Sequence, residues 1–256
     1  MDWNMEALIK EHSGWLYRYA LFLSAHPDRA QDLVQQTWIN AWKHQDQLQD
    51  ISAIRTWLKK ICLNEYRMSM RKQKPIVESI EELEADSVYF VDTKVDDITE
   101  LSVKEEVKNL RNGCFLGMSG KLTLSQRMAF SLVDMFGLTL QETADLMDVS
   151  VSAVKGLLFR ARSNLVSFFA DHCMFIKEEN ACRCEAWINF AQQRSKLQHK
   201  LKTSFSPEEF REKKVSNQES IRKRVLYYYQ HMPVQTPPDS WYEELIHIVT
   251  DKKECK

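Results

Sequence analysis

Between Trp15 and Tyr66 apolar side chains return every three or four residues, a spacing that a helix turns into one buried face. Trp15, Leu16, Tyr19 and Leu23 form one stripe. Leu33, Val34, Trp38, Ile39 and Trp42 form a second, and Trp57, Leu58, Ile61, Cys62 and Tyr66 a third. His26-Pro27-Asp28 and Gln49-Asp50-Ile51-Ser52 interrupt the pattern, and Asp28 suits the N-cap of the helix that follows. Only 6 Gly and 6 Pro occur in 256 residues, which leaves few helix breakers and makes the expected fold class all-α. With 44% hydrophobic residues, a chain of this length supports two or three small helical domains, each with its own core.

A second helical stretch spans about 106–170. Phe130, Leu132, Val133 and Phe136 end one helix at Gly137, a residue suited to C′. Leu140, Ala144, Leu146 and Met147 then define a short helix. After an Asp148-Val149-Ser150 turn, Val151, Val154, Leu157, Leu158, Ala161 and Leu165 define a longer one, with Ser150 as its cap. A short helix, a three-residue turn and a longer amphipathic helix make a helix-turn-helix pattern, although Asp148 sits where such turns usually carry Gly. An ordinary helical hairpin has the same spacing. Ser152, Lys155, Arg160 and Arg162 lie on the polar side of the second helix, where phosphates and base edges would be met.

A net charge of −1 conceals a strong segregation of charge. Residues 53–75 carry seven cations (Arg55, Lys59, Lys60, Arg67, Arg71, Lys72, Lys74) against Glu65 alone. Residues 78–106 carry eleven acids against Lys94 and Lys104. Residues 75–105, opening on Pro75 and weakly periodic, read as an acidic linker between a block at 5–74 and one at 106–170.

Asp32-Leu33-Val34-Gln35-Gln36-Thr37-Trp38 with Ala41-Trp42, and Thr56-Trp57-Leu58-Lys59-Lys60-Ile61-Cys62-Leu63-Asn64 ending in Arg71-Lys72, resemble region 2 of the extracytoplasmic-function group of sigma-70-type factors. Leu124-Ser125-Gln126-Arg127, Phe136-Gly137-Leu138-Thr139, Glu142 to Met147, Val154-Lys155-Gly156 and Arg160-Ala161-Arg162 resemble region 4. The resemblance covers about half of the chain, in the family's order.

It implies a subunit that binds core RNA polymerase, through the clamp helices of the largest subunit and the flap, and directs it to promoter DNA. Asp32, Gln35 and Gln36, on or near one helix face, would dock on the clamp helices. Leu48, Gln49, Asp50, Ile51 and Ser52 would hold an unstacked base of the −10 element. Lys60, Asn64, Arg67 and Arg71 would meet the melted strand, where cations serve phosphates and amides serve bases. Trp42 and Trp57 share the apolar stripe with Leu58 and Ile61 and read as core. Ser152, Lys155, Phe159, Arg160 and Arg162 would read the −35 element, although Phe159 also suits a core position and Gly156 departs from the polar residue usual after Val-Lys.

Beyond region 4, residues 171–256 form an extension that most members of the group lack. It opens with His172-Cys173 and, eight residues on, Cys182-Arg183-Cys184, a signature similar to that of a subgroup of the family; Gly113-Cys114-Phe115-Leu116-Gly117-Met118 resembles the same subgroup. His172, Cys173, Cys182 and Cys184 offer the donors of a Cys₃His zinc site, though adjacent His and Cys make an awkward pair. A redox-switching cluster and a purely structural turn use the same residues. Trp187, Ile188, Phe190 and Ala191 suggest a helix, and Ser206-Pro207-Glu208-Glu209 a helix start. Residues 217–232 read as a basic-aromatic helix and Ser240 as the cap of a last one. Such a tail has enough apolar surface to pack on region 2 or 4 and regulate the factor in cis. The family also admits an anti-sigma factor as partner, which a fused extension makes unnecessary.

No phosphate-cradling glycine loop, paired-carboxylate motif or nucleophile pattern occurs, so no enzyme and no required cofactor is expected. No apolar run nears 18 residues and the N-terminus lacks a secretory pattern, so a reducing cytoplasm is the expected compartment. The rival reading is a stand-alone dimeric helix-turn-helix regulator with residues 1–74 as sensor.

Overall fold

The computed structural model describes residues 4–72, 100–180, 182, 184, 218–234 and 236–251. Among them are nine α-helices and no strand, the all-α class expected. They are α1 (Met5–Ser24), α2 (Pro27–Lys43), α3 (Ile54–Lys72), α4 (Glu100–Gly120), α5 (Leu124–Phe130), α6 (Leu140–Met147), α7 (Val151–His172), α8 (Gln218–Gln230) and α9 (Asp239–Asp251). The chain divides into two compact units: Met1–Lys74 with Arg127–Lys155 and Thr236–Lys256, and Pro75–Gln126 with Gly156–Gln235. The expected linker up to residue 99, and the expected helices near Trp187 and Ser206, lie outside the described residues. No helix among the described residues is long and apolar enough to cross a membrane.

In the first unit α1, α2 and α3 pack on one another. The Asn4 side chain accepts the Ala7 N–H at 3.1 Å and starts α1. Ala25 ends it in the left-handed region at φ 55, its N–H returning to the Leu21 carbonyl at 2.8 Å. Helix α2 begins at Pro27, not after Asp28 as expected. Proline's fixed φ opens the helix two residues earlier, and Asp28 falls in the first turn, where a carboxylate favours the positive helix end. Trp38 is 1% exposed and its indole N–H donates to Ser13 Oγ at 2.9 Å, so the largest core side chain leaves no polar atom stranded. Along α3 the buried series Ile54, Leu58, Cys62, Tyr66 keeps a strict four-residue step.

Residues 127–155 join this bundle by specific bonds. Arg127 Nη1 donates to Tyr66 Oη at 2.8 Å, and Ser131 Oγ donates to the Phe22 carbonyl at 2.7 Å. Helix α5 stops at Phe130 and one π turn, Ser131–Met135, follows in place of the single helix expected up to Gly137. Gly137 has φ 82, and the Leu138 N–H reaches back to the Leu132 carbonyl at 2.9 Å, a closure that needs a residue without Cβ. Helix α9 lies on α1 and α2 with Leu245 and Val249 buried, and the rings of Tyr17 and Trp241 meet edge-on at 6.1 Å. Its first residue is Asp239 and the Trp241 N–H bonds the Pro238 carbonyl, so Ser240 sits inside the first turn instead of capping it.

The core of the second unit is aromatic. Phe115 of α4 stacks on Phe169 with centroids 4.0 Å apart, and Tyr228 and Tyr229 of α8 close over it. Tyr229 Oη donates to the Phe115 carbonyl at 2.7 Å, and Tyr228 Oη to Asn112 Oδ1. The Arg111 guanidinium lies 3.7 Å from the Phe175 ring centre. Thus part of the C-terminal extension is core: removing α8 would uncover a ring cluster, not a surface.

Candidate nucleic-acid interface

Four groups of residues singled out by the sequence come to the surface in different ways. On α2, Asp32 and Gln36 are exposed and Gln35 half-buried, because Leu33, Val34, Thr37 and Trp38 take the inward positions. In the loop before α3, Gln49, Asp50, Ile51 and Ser52 are exposed, whereas Leu48 is 8% exposed and lines a small gap with Met5, Trp38 and Trp57. Leu48 therefore belongs to the loop's footing. Asp50 accepts from the Ser52 N–H at 2.9 Å and from Ser52 Oγ at 2.6 Å, and these bonds hold its carboxyl below the ordinary carboxylate range. The loop is thereby a fixed turn that presents Ile51, 45% exposed, to solvent.

On α3, Lys60, Asn64, Arg67 and Arg71 follow at steps of four, three and four and form one stripe beside the buried one. Lys60, Asn64 and Arg71 are exposed. Arg67 is half-buried: Nη2 donates to the Met147 carbonyl at 2.6 Å and Nη1 reaches Asn64 Oδ1 at 3.5 Å. Two other cations of the stem lie over rings, Arg55 over Trp15 and Lys59 over Phe136, at 5.7 and 5.6 Å from the ring centres. Burial lowers the Lys59 pKa, against the pull of Glu142.

The helix-turn-helix is braced at each corner. Thr139 and Glu142 form a capping box: Thr139 Oγ1 accepts the Glu142 N–H at 3.1 Å, and Glu142 Oε2 accepts the Thr139 N–H at 2.8 Å. Asp148 takes the left-handed turn position itself at φ 58, which explains how the turn closes without Gly. Ser150 Oγ accepts the Ala153 N–H at 3.1 Å, capping α7 as expected. Ser152, Lys155 and Arg160 are exposed and Arg162 half-buried. Phe159 is 71% exposed, so it is no core residue. A β-carbon at Gly156 would lie 3.6 Å from Arg160 Nη1, so the guanidinium rests over bare backbone.

After α7 the chain folds into a hydrogen-bonded closure. The Asn180 amide donates to the carbonyls of Ala170 and Cys173 at 2.9 and 3.2 Å, satisfying the orphan end of the helix. Cys173 and Cys182 are joined by a backbone bridge, and Cys184, like Leu110, packs against Val107 of α4. Cys114 stands on the same α4 stripe, one turn further on. Burial pushes its thiol well up, with Cys184, Cys173 and Cys182 adding to the shift. Burial also raises Cys173. Cys114 is nonetheless exposed at the molecular surface, although neighbouring groups crowd its thiol. His172 turns Nδ1 to the Phe168 carbonyl at 2.8 Å and stacks on the Phe168 ring. Among the described residues no three His, Cys, Asp or Glu side chains gather as metal ligands, and that includes His172, Cys173, Cys182 and Cys184. Sequence reading left Cys114 out of this group, along with the bonds of Arg67 and Arg127. Only the Thr139-x-x-Glu142 pattern was open to it as a local signal.

Two family models match the chain, Sigma-70 region 2 at residues 8–76 and Sigma-70 region 4 at residues 113–165. The ECF RNA polymerase sigma factor EcfG of Rhodopseudomonas palustris is 32% identical over 150 residues, 59% of this chain and 76% of that one. SigM of Bacillus subtilis is 25% identical over 60% of this chain and 88% of its own, and SigL of Mycobacterium tuberculosis 39% over 23% and 34%. Among solved structures, the sigma factor RpoE in complex with the anti-sigma factor NepR from Bartonella quintana aligns at TM-score 0.43 and 24% identity over 64% of this chain and 93% of that one, too loosely to carry weight. The two region models in order, and a relative matched over three quarters of its length, make this chain a member of the ECF RNA polymerase sigma factors.

Proposed function

We propose that this sigma factor docks on the clamp helices of core RNA polymerase through Asp32, Gln35 and Gln36 of α2, opens the −10 element on the 49–52 loop and α3, and reads the −35 element with α7. The observation that carries the reading is the α3 stripe Lys60, Asn64, Arg67, Arg71, an amide among cations beside a rigid loop with an exposed isoleucine. Cations take the phosphates of an unpaired strand and the loop and amide take its bases. On α7, Ser152, Lys155, Phe159, Arg160 and Arg162 would meet base edges and phosphates, region 4 resting also on the polymerase flap. The polymerase supplies the chemistry, in the cytoplasm where the chromosome lies, and neither metal nor cofactor is required.

The extension acts in cis. Support comes from α9 lying on α1 and α2, the latter the proposed docking helix, which makes a separate anti-sigma partner unnecessary. The cysteine segment closes the end of α7, and zinc analysis of the purified protein checks whether it also takes metal; one bound zinc per chain would overturn the purely structural role.

A gel shift on a promoter found by sequencing transcripts from core polymerase plus this protein tests the main reading. A specific complex is expected only when core polymerase is present. Equally tight, specific binding of a dimer without polymerase would replace this reading with a stand-alone regulator.

A further inference from the structure

Helix α7 has 22 residues, about 33 Å of rise, while a B-DNA major groove is about 12 Å wide. The first turns alone can read bases, and the rest must pass over the sugar-phosphate backbone or beyond it. Arg162 stands ten residues after Ser152, about 15 Å along the axis, where the helix would leave the groove. From there the second half of α7 forms one wall of an open groove of about 710 Å³, and α8 of the extension forms the other. Phe159, Arg162, Ser163 and Ser167 line the first wall, and Arg222 and Lys223 the second.

The charge of the groove favours an anion. Arg162, Arg222 and Lys223 stand against Glu219 and Asp171. Asp171 sits at the far end of α7, within 3.5 Å of Ser167 Oγ. Glu219 pairs with Lys223 at 3.2 Å, with both side chains more than two-thirds exposed, a contact a phosphate can displace at little cost. Ser163 adds a hydroxyl donor of the kind that phosphate oxygens take. Phe159, 71% exposed at the mouth of the groove, gives an apolar edge next to the bases. Helix α8, which carries Arg222 and Lys223, is tied down: Arg224 donates to the Ile176 carbonyl at 3.1 Å, and Tyr229 Oη to the Phe115 carbonyl at 2.7 Å.

We propose that the extension enlarges the DNA-binding surface of region 4, Arg222 and Lys223 of α8 contacting the phosphates of duplex DNA beside the −35 element across this groove. The inference rests on the proposed role of α7 and adds to it a sequence-independent contact supplied by the tail.

The test uses full-length protein in holoenzyme and measures promoter affinity from 50 to 200 mM salt. Taking away one cation–phosphate pair lowers the slope of log K against log salt by about 0.9. Arg222→Gln with Lys223→Gln is expected to lower the slope by about 1–2, weakening binding alike on promoters with different −35 sequences. Lys177→Gln, an exposed cation outside the groove, is expected to leave the slope unchanged. An unchanged slope in the double variant overturns the proposal. Loss of affinity for core polymerase, with the DNA slope intact, overturns it in favour of a protein partner. If wild-type holoenzyme forms no promoter complex at all, the sigma reading itself falls and this inference with it. Both substituted side chains are exposed, and a melting curve matching wild type shows that the fold is kept.

Discussion

The stem of α3 and the face of α7 are both basic, yet they present their charges differently. Of the described α3 cations, Arg55 and Lys59 lie over rings and Arg67 is bonded to the Met147 carbonyl, while Lys60 and Arg71, like Arg55, are exposed. On α7, Ser152, Lys155, Phe159 and Arg160 are all exposed. A helix buried along a four-residue stripe keeps its flanking cations close to neighbouring rings, and their stems add packing. A helix that must enter a groove has to hold its polar side clear. The difference teaches that α7 is ready to bind as folded, whereas α3 must release Arg67 from α6 before all four stripe residues can meet a strand.

The largest effect is expected at the support beneath α7. Phe115→Ala removes the ring that Phe169, Tyr228 and Tyr229 enclose, and should cost about 3–5 kcal/mol in a urea melt. A loss under 1 kcal/mol would mean that α8 is not part of this core, and the readiness of α7 would lose its physical basis.

Next comes the readout itself. Lys155→Ala and Arg160→Ala should each weaken holoenzyme binding by about 1–3 kcal/mol, roughly 5- to 150-fold, where the side chain contacts a base. Lys60→Ala should act weakly and alike on duplexes with different −35 sequences, and more strongly on a probe with an unpaired −10 segment. The reverse pattern would exchange the roles given to the two helices.

Arg67 tests the contrast directly. Arg67→Ala removes a charged donor from the Met147 carbonyl, at a cost of about 1 kcal/mol for a half-buried bond. Faster amide exchange across 140–147 is the expected sign, together with weaker −10 opening. Faster exchange with stronger opening would instead mean that the bond restrains α3 and that Arg67 touches no DNA.

What the sequence disclosed and what it withheld follow one physical rule. The helices were legible because the 3.6-residue period is local: α2, α3, α6 and α7 follow from their own apolar positions, and the start of α7 from Ser150, which caps it. Single-residue boundaries failed where two local preferences compete, as at Pro27 against Asp28. The surface residues of α3 and α7 could be named from the family resemblance and helical spacing. Whether their charges are committed could not, because the Met147 carbonyl is 80 residues from Arg67 and no local pattern announces it. A similarly long separation hid Cys114 from the cysteines beyond α7, and in the helix read as basic-aromatic two of the three tyrosines are core.

The smallest expected effect lies at the capping box that starts the first helix of the helix-turn-helix. Bonds from Thr139 hold Glu142 below its ordinary value of 4.5, although the carboxylate is exposed. A carboxyl with a depressed folded-state pKa stabilises fully above the unfolded value. As pH falls below about 4.5, the unfolded chain takes up the proton first and that stability is lost. Thr139→Ala should cost about 1 kcal/mol at neutral pH through the lost cap, and should also flatten the pH dependence between about 5 and 3. Melts of both proteins across that range measure it, the gap between them narrowing toward acid as the carboxylate share disappears. A gap independent of pH would show that Thr139 caps α6 alone, and that the Glu142 half of the box contributes nothing to holding α6 and α7 ready.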